Sequence, residues 1–170
     1  MAYKPVKLGI NELSSSLIGN LRNTTRCSGL ARRGSSATDV TGDGTEYTII
    51  WDTEILDQGS NYDNTTGILT FPVAGNYLIM ATIQLIDLAA LHNTSQCRLV
   101  TTARSYYFGE LNPGIVRNGS NRYTIQTARY VTASAGNTCF VNATVGGSTK
   151  TVDIGGANEG FSHFSWHLLG

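Results

Sequence analysis

Residues 62–80 read YDNTTGILTFPVAGNYLIM, and this stretch decides the fold. Gly67 turns the chain into a short apolar run, Ile68-Leu69-Thr70-Phe71. Pro72 ends that run because it brings no N–H to a ladder. Gly75 permits a tight reversal, and Tyr77 opens the next run. From Asn76 to Asp87, residues Tyr77, Ile79, Ala81, Ile83 and Leu85 recur at every second position. That is the period of a strand with one buried face.

The same pattern continues in both directions. Upstream, Tyr47–Asp52 is rich in β-branched and aromatic residues, and Thr53–Asp57 continues it as one strand. Downstream, Gln96–Tyr107 reads as a strand, and Asn112-Pro113-Gly114 and Asn118-Gly119 read as turns. Arg122–Ala133 follows, with Tyr123, Ile125, Thr127, Arg129 and Val131 alternating against polar and small residues. Ala135-Gly136-Asn137 turns into Thr138–Val145; Gly146-Gly147 turns again, before Lys150–Ile154. In the last strand, Phe161–Leu169, Phe161, His163, Ser165 and His167 share one face, and Ser162, Phe164, Trp166 and Leu168 share the other. This strand is expected at the centre of its sheet. Eight or more strands with regular turns and no long helical period predict an all-β sandwich.

Composition agrees. Only 14% of the 170 residues are charged, against about 25% in average soluble chains. Thr, Ser, Asn and Gly make up 67 residues, a polar but uncharged stock suited to strands and turns. A formal net charge of zero argues against nucleic acid as a partner. No apolar run is long enough for a membrane helix, so no membrane partner is expected. The opening MAYKPVKLGINELSSS lacks the apolar core of a secretory signal, which implies synthesis in a cytoplasm. Cys27, Cys97 and Cys139 are odd in number and widely spaced, as expected for buried thiols rather than a disulfide framework. Sequons at Asn23, Asn64, Asn93, Asn118 and Asn142 follow from the composition.

The zero sum hides a segregation. Residues 1–33 hold Lys4, Lys7, Arg22, Arg26, Arg32 and Arg33 against Glu12. Residues 34–97 hold eight acids and no Lys or Arg. The remainder is again basic. Solvated loop charge and complementary surfaces in an assembly both account for this. The first residues match neither strand nor helix period, and Leu13, Leu17 and Ile18 form one short apolar cluster. The chain therefore divides into an N-terminal arm, 1–31, and a β domain, 32–170.

No reaction chemistry stands out. The Asp39–Glu46 segment places Thr41 where a calcium loop needs an acid, so it reads as a glycine-rich turn. His163 and His167 lie four apart on a strand, ~13 Å along it, too far to share a metal. His92 is isolated. No nucleophile elbow, phosphate loop or ordered carboxylate pair occurs. The expectation is a non-enzyme with no catalytic residues, metal or cofactor.

The 62–80 motif, through Tyr62, Asp63, Thr66, Gly67, Phe71, Pro72, Gly75 and Tyr77, resembles the globular head of complement and the tumour-necrosis-factor jelly roll. Ala135-Gly136-Asn137-Thr138 stands where that family has an Ala-Gly-Asp turn, with Asn137 in place of the acid. Phe161-Ser162-His163-Phe164 resembles its closing Phe-Ser-Gly-Phe strand. The resemblance covers about residues 32–169 and implies a jelly roll of about ten antiparallel strands that assembles as a homotrimer. With a short arm and no collagen-like stalk, the chain looks like tailed-bacteriophage virion proteins. The reading that follows is a trimeric decoration (cement) protein on the outer surface of a phage head, partnered with the major capsid protein. Its arm would dock through Lys4, Lys7, Leu13, Leu17, Ile18, Arg22, Arg26, Arg32 and Arg33. The alternative is a receptor-binding fibre tip, in which a loop at Tyr106, Tyr107 and Phe108, or the 111–122 loop, holds a host glycan.

Overall fold

A computed structural model describes residues 27–156 and 161–169. Thirteen strands lie among them: β1 (Ser28–Arg32), β2 (Ala37–Thr41), β3 (Glu46–Thr48), β4 (Thr53–Gln58), β5 (Tyr62–Asp63), β6 (Ile68–Thr70) and β7 (Gly75–Ile86), then β8 (Thr94–Thr101), β9 (Ser105–Leu111), β10 (Tyr123–Ala133), β11 (Thr138–Gly146), β12 (Val152–Ile154) and β13 (His163–Leu168). One helical turn, α1 (Pro113–Val116), interrupts the loop after β9.

Ten strands build two five-stranded sheets. The first runs β4-β1-β13-β7-β10 and the second β5-β6-β11-β8-β9, all antiparallel. The chain passes back and forth between the sheets, giving a jelly roll. Short strands extend both: β12 and β2 continue the first beyond β7, and β3 adds to β11. The strand β13 is central, held by β7 on one side and β1 on the other. A strand paired on both edges must bury its apolar alternates, and Phe164 and Trp166 are fully enclosed.

The period of two along β7 has the expected outcome. Tyr77, Ile79, Ala81, Ile83 and Leu85 are all buried in the space between the sheets. An aromatic cluster fills the middle. Trp51 stacks on Phe164 with ring centroids 4.8 Å apart, and Tyr62 lies 5.4 Å from Trp166. Phe71 and Tyr77 meet at 4.5 Å. Each such ring removes a large apolar surface from water, about 1.5–3 kcal/mol apiece. The motif residues serve this core. The Trp51 backbone N–H donates to the Tyr62 hydroxyl at 3.0 Å, the Tyr77 hydroxyl donates to the Val73 carbonyl at 2.7 Å, and Gly67 (φ +78°) passes too close to the Ile49 carbonyl for a Cβ. Phe161, by contrast, is 36% exposed and precedes β13.

Three expectations need correction. Residues 47–57 are not one strand: β3 belongs to the second sheet and β4 to the first, and residues 49–52 cross between them while burying Ile49 and Trp51. Residues 96–107 are not one strand either. The chain reverses at Thr102–Arg104, where the Thr101 hydroxyl accepts from the Arg104 N–H and donates to its carbonyl. The β domain also starts before residue 32, because Ser28–Arg32 is a strand locked between β13 and β4.

Candidate functional site

Two surfaces stand out, one on each sheet. On the first, the register aligns three rows of outward side chains across five strands. One row runs Tyr130, Leu78, His167, Ser28, Gln58. The next is Ala128, Met80, Ser165, Leu30, Leu56, and the third is Gln126, Thr82, His163, Arg32, Thr53. Arg32 is the one formal charge in these rows. Tyr130 is 74% exposed, and Leu56 and the bulged Ile55 are also exposed. Two shallow clefts meet at His163. One, of about 400 Å³, is lined by Met80, Thr82, Gln126, Ala128 and Ser165; the other, of about 230 Å³, by Leu30, Arg32 and Ile55. The His163 Nε2 lies 3.1 Å from the Thr82 hydroxyl.

On the second sheet, Tyr106, Tyr107 and Phe108 lie in β9 and not in a loop. Alternation divides them. Phe108 is in the core and Tyr106 packs against it, which leaves Tyr107, 50% exposed, as the accessible ring. Its cross-strand partner Arg98 lies beneath it and is paired with Glu46. The Glu46 carboxylate raises the Arg98 pKa above its ordinary value by hydrogen bonding to the charged guanidinium. The 111–122 loop contains α1 and exposes Ile115 and Val116.

The proposed docking residues separate. Lys4, Lys7, Leu13, Leu17, Ile18, Arg22 and Arg26 lie outside the described residues. Arg32 points outward on the first sheet, but Arg33 is buried. Its guanidinium donates to the carbonyls of Ser35 and Ile50 and pairs with Asp52 at 3.6 Å, so Arg33 is a structural residue and not a docking one. The pairs Arg33–Asp52 and Arg98–Glu46 also neutralise part of the acid-rich 34–97 stretch within the domain itself.

His92 and the three cysteines are structural. His92 is fully buried; its Nδ1 accepts from the Ala89 N–H at 2.8 Å, and its Nε2 faces the Thr149 carbonyl at 3.1 Å. Burial pushes the Cys97 thiol up to about 12, and Cys27 up to about 11 with help from Asp57. All three cysteines are free and buried. Among the described residues no cluster of His, Cys, Asp or Glu is arranged to hold a metal ion.

No protein-family model matches the chain, and no curated protein sequence matches it. Solved structures do. The globular domain of zebrafish complement 1qA is 17% identical and superposes with a TM-score of 0.55, over 86% of this chain and 98% of that one. Murine APRIL is 11% identical with a TM-score of 0.56, over 85% and 99%. At such identities the likeness is one of fold, and the fold is the jelly roll those domains share.

Proposed function

We propose that the protein is a non-enzymatic homotrimer whose threefold interface is the outward face of β10-β7-β13-β1-β4, and that it decorates the outer surface of a bacteriophage head. One observation carries the assembly reading: a broad, nearly uncharged sheet face that holds half-buried Leu78, Met80 and Leu30 beside exposed Tyr130 and Leu56. A weakly charged face with an apolar middle row favours burial against like surface.

The decoration role rests on the arm. Cys27 accepts from the Leu168 N–H, so the chain enters the domain at the end where β7 begins, opposite the 87–93 and 112–121 loops. Residues 1–26 carry Lys4, Lys7, Arg22 and Arg26 against Glu12, and three copies attach with the avidity of a trivalent ligand. Light scattering is expected to give three times the chain mass, and Met80→Asp is expected to give a folded monomer. Deleting residues 1–25 is expected to leave the trimer intact and abolish co-sedimentation with capsids that lack the protein. Full attachment by the truncated trimer would rule out the arm as anchor.

A receptor-binding tip that recognises host-surface glycan is the second reading. The exposed Tyr107 ring, held rigidly on a strand, favours it.

A further inference from the structure

The outward face of the second sheet carries a polar network that neither the trimer face nor the arm uses. A glycine bulge creates it. Gly109 has φ +67°, and the register of β9 against β8 slips between Cys97↔Phe108 and Ser95↔Leu111. Tyr107 and Glu110 are three positions apart, so a regular strand would set them on opposite faces; the bulge turns both outward. Such bulges commonly re-aim side chains at binding sites.

The ring of Tyr107 is supported from beneath. The guanidinium carbon of Arg98 lies 5.9 Å from the ring centroid, and Arg98 is tied to Glu46. The other Glu46 oxygen accepts from the Asn142 amide at 2.7 Å, and the Asn142 carbonyl oxygen accepts from the Thr48 hydroxyl at 2.9 Å. Asn142 is 5% exposed, so this chain across four strands is anchored in the sheet. Beside it Gln96 donates to Glu110 at 2.8 Å. These two residues, with Thr94, Leu111 and Thr144, line an open cleft of about 430 Å³. That volume lies in the ~300–1,000 Å³ range of small-molecule sites.

We propose that Tyr107, Glu110, Gln96 and the adjoining cleft form a binding site for an uncharged saccharide. A pyranose has an apolar C–H face and a rim of hydroxyls. The exposed Tyr107 ring takes the first, and the Glu110 carboxylate, Gln96 amide and Thr144 hydroxyl lining the cleft take the second through charge-assisted and neutral hydrogen bonds. Glu46 already neutralises Arg98, which leaves Glu110 as the uncompensated charge, and this disfavours an anionic sugar. The inference rests on the receptor-binding reading and gives it a site and a ligand class.

The test is saturation-transfer NMR on the full chain with neutral glucosides, galactosides, mannosides and N-acetylhexosaminides, and with a sialylated oligosaccharide as the acidic control. Transfer to the ring protons of at least one neutral sugar is expected. It should disappear in Tyr107→Ala, persist in Tyr107→Phe, weaken at least tenfold in Glu110→Gln and remain in Tyr130→Ala on the opposite sheet. Equal binding by Tyr107→Ala, or transfer to the sialylated ligand alone, overturns this site and leaves the receptor reading standing. Transfer to none of the sugars, with adsorption of the protein to bacterial cells retained, does the same. Loss of both sugar binding and adsorption removes the receptor reading as well.

Discussion

Gly29 lies directly beneath the indole of Trp166: a Cβ added at Gly29 would stand 2.0 Å from the Trp166 Cζ2. The two residues face each other across the β1–β13 ladder, so neither strand can move away without breaking pairs on its other edge. Gly29→Ala is therefore expected to destabilise the domain by about 1–3 kcal/mol through overpacking. A urea melt of the variant against the parent measures it. An unchanged midpoint would mean that the indole has room to rotate.

What the sequence reveals depends on whether the physical cause is local. The long strand β7 is legible because five residues alternate without interruption. The burial of Phe164 and Trp166 is legible for the same reason. The switch of sheets at residues 49–52 is not, because Ile49 and Trp51 keep the alternation going while the ladder partner changes. The Thr102–Arg104 reversal has no Gly, Pro or Asn, since a Thr101 side chain does the work that such residues usually do. Missing that turn ends the strand at Tyr107, so that the rest of β9 reads as loop. Gly109 falls beyond the strand read at Gln96–Tyr107, so a glycine that marks a bulge within a strand has no strand to mark. Gly29 falls in the 1–31 arm of the sequence reading, where nothing local announces a partner 137 residues along the chain.

Burial makes the three thiols slow to react as well as hard to ionise. At about pH 8 a thiol reagent is expected to label none of them in the folded protein and all three in denaturant. The same shifts act on stability. The Cys27 pKa is raised from 9.0 to about 11 on folding, so between those values the unfolded chain has lost a proton that the folded chain retains. Stability therefore falls as pH rises through this window. Cys27→Ala is expected to flatten the fall, read from melts across that range. An unaltered slope would count against the burial of this thiol.

Asp63 titrates in the opposite sense. Its Oδ1 accepts from the Thr65 hydroxyl and from the backbone N–H groups of Thr65 and Thr66, closing the turn between β5 and β6. These bonds lower its pKa from 3.8 to about 2. A depressed carboxyl contributes stability above its unfolded pKa and loses it as pH falls through the folded one. Asp63→Asn is thus expected to melt below the parent at neutral pH, with the gap closing between pH 3.8 and about 2. A gap independent of pH would assign the loss to something other than the charge.

Arg32 and Arg33 are adjacent in the sequence and opposite in use. Arg33 is enclosed with two backbone carbonyls and Asp52, so Arg33→Ala strands buried acceptors and should cost about 2–3 kcal/mol. The folded fraction of that variant should still assemble, because nothing on the outward face has changed. Arg32 makes no comparable bonds and faces out between Leu30 and Ile55. Arg32→Glu breaks no bond within the described domain, so it should lower the melt only as far as it weakens assembly, to which unfolding is linked by mass action. It should weaken self-association, because three copies would bring carboxylates onto a face that must lose water to pair. Sedimentation velocity and urea melts on the two variants separate the effects. An Arg32→Glu variant that sediments as the parent does would remove this face from the interface.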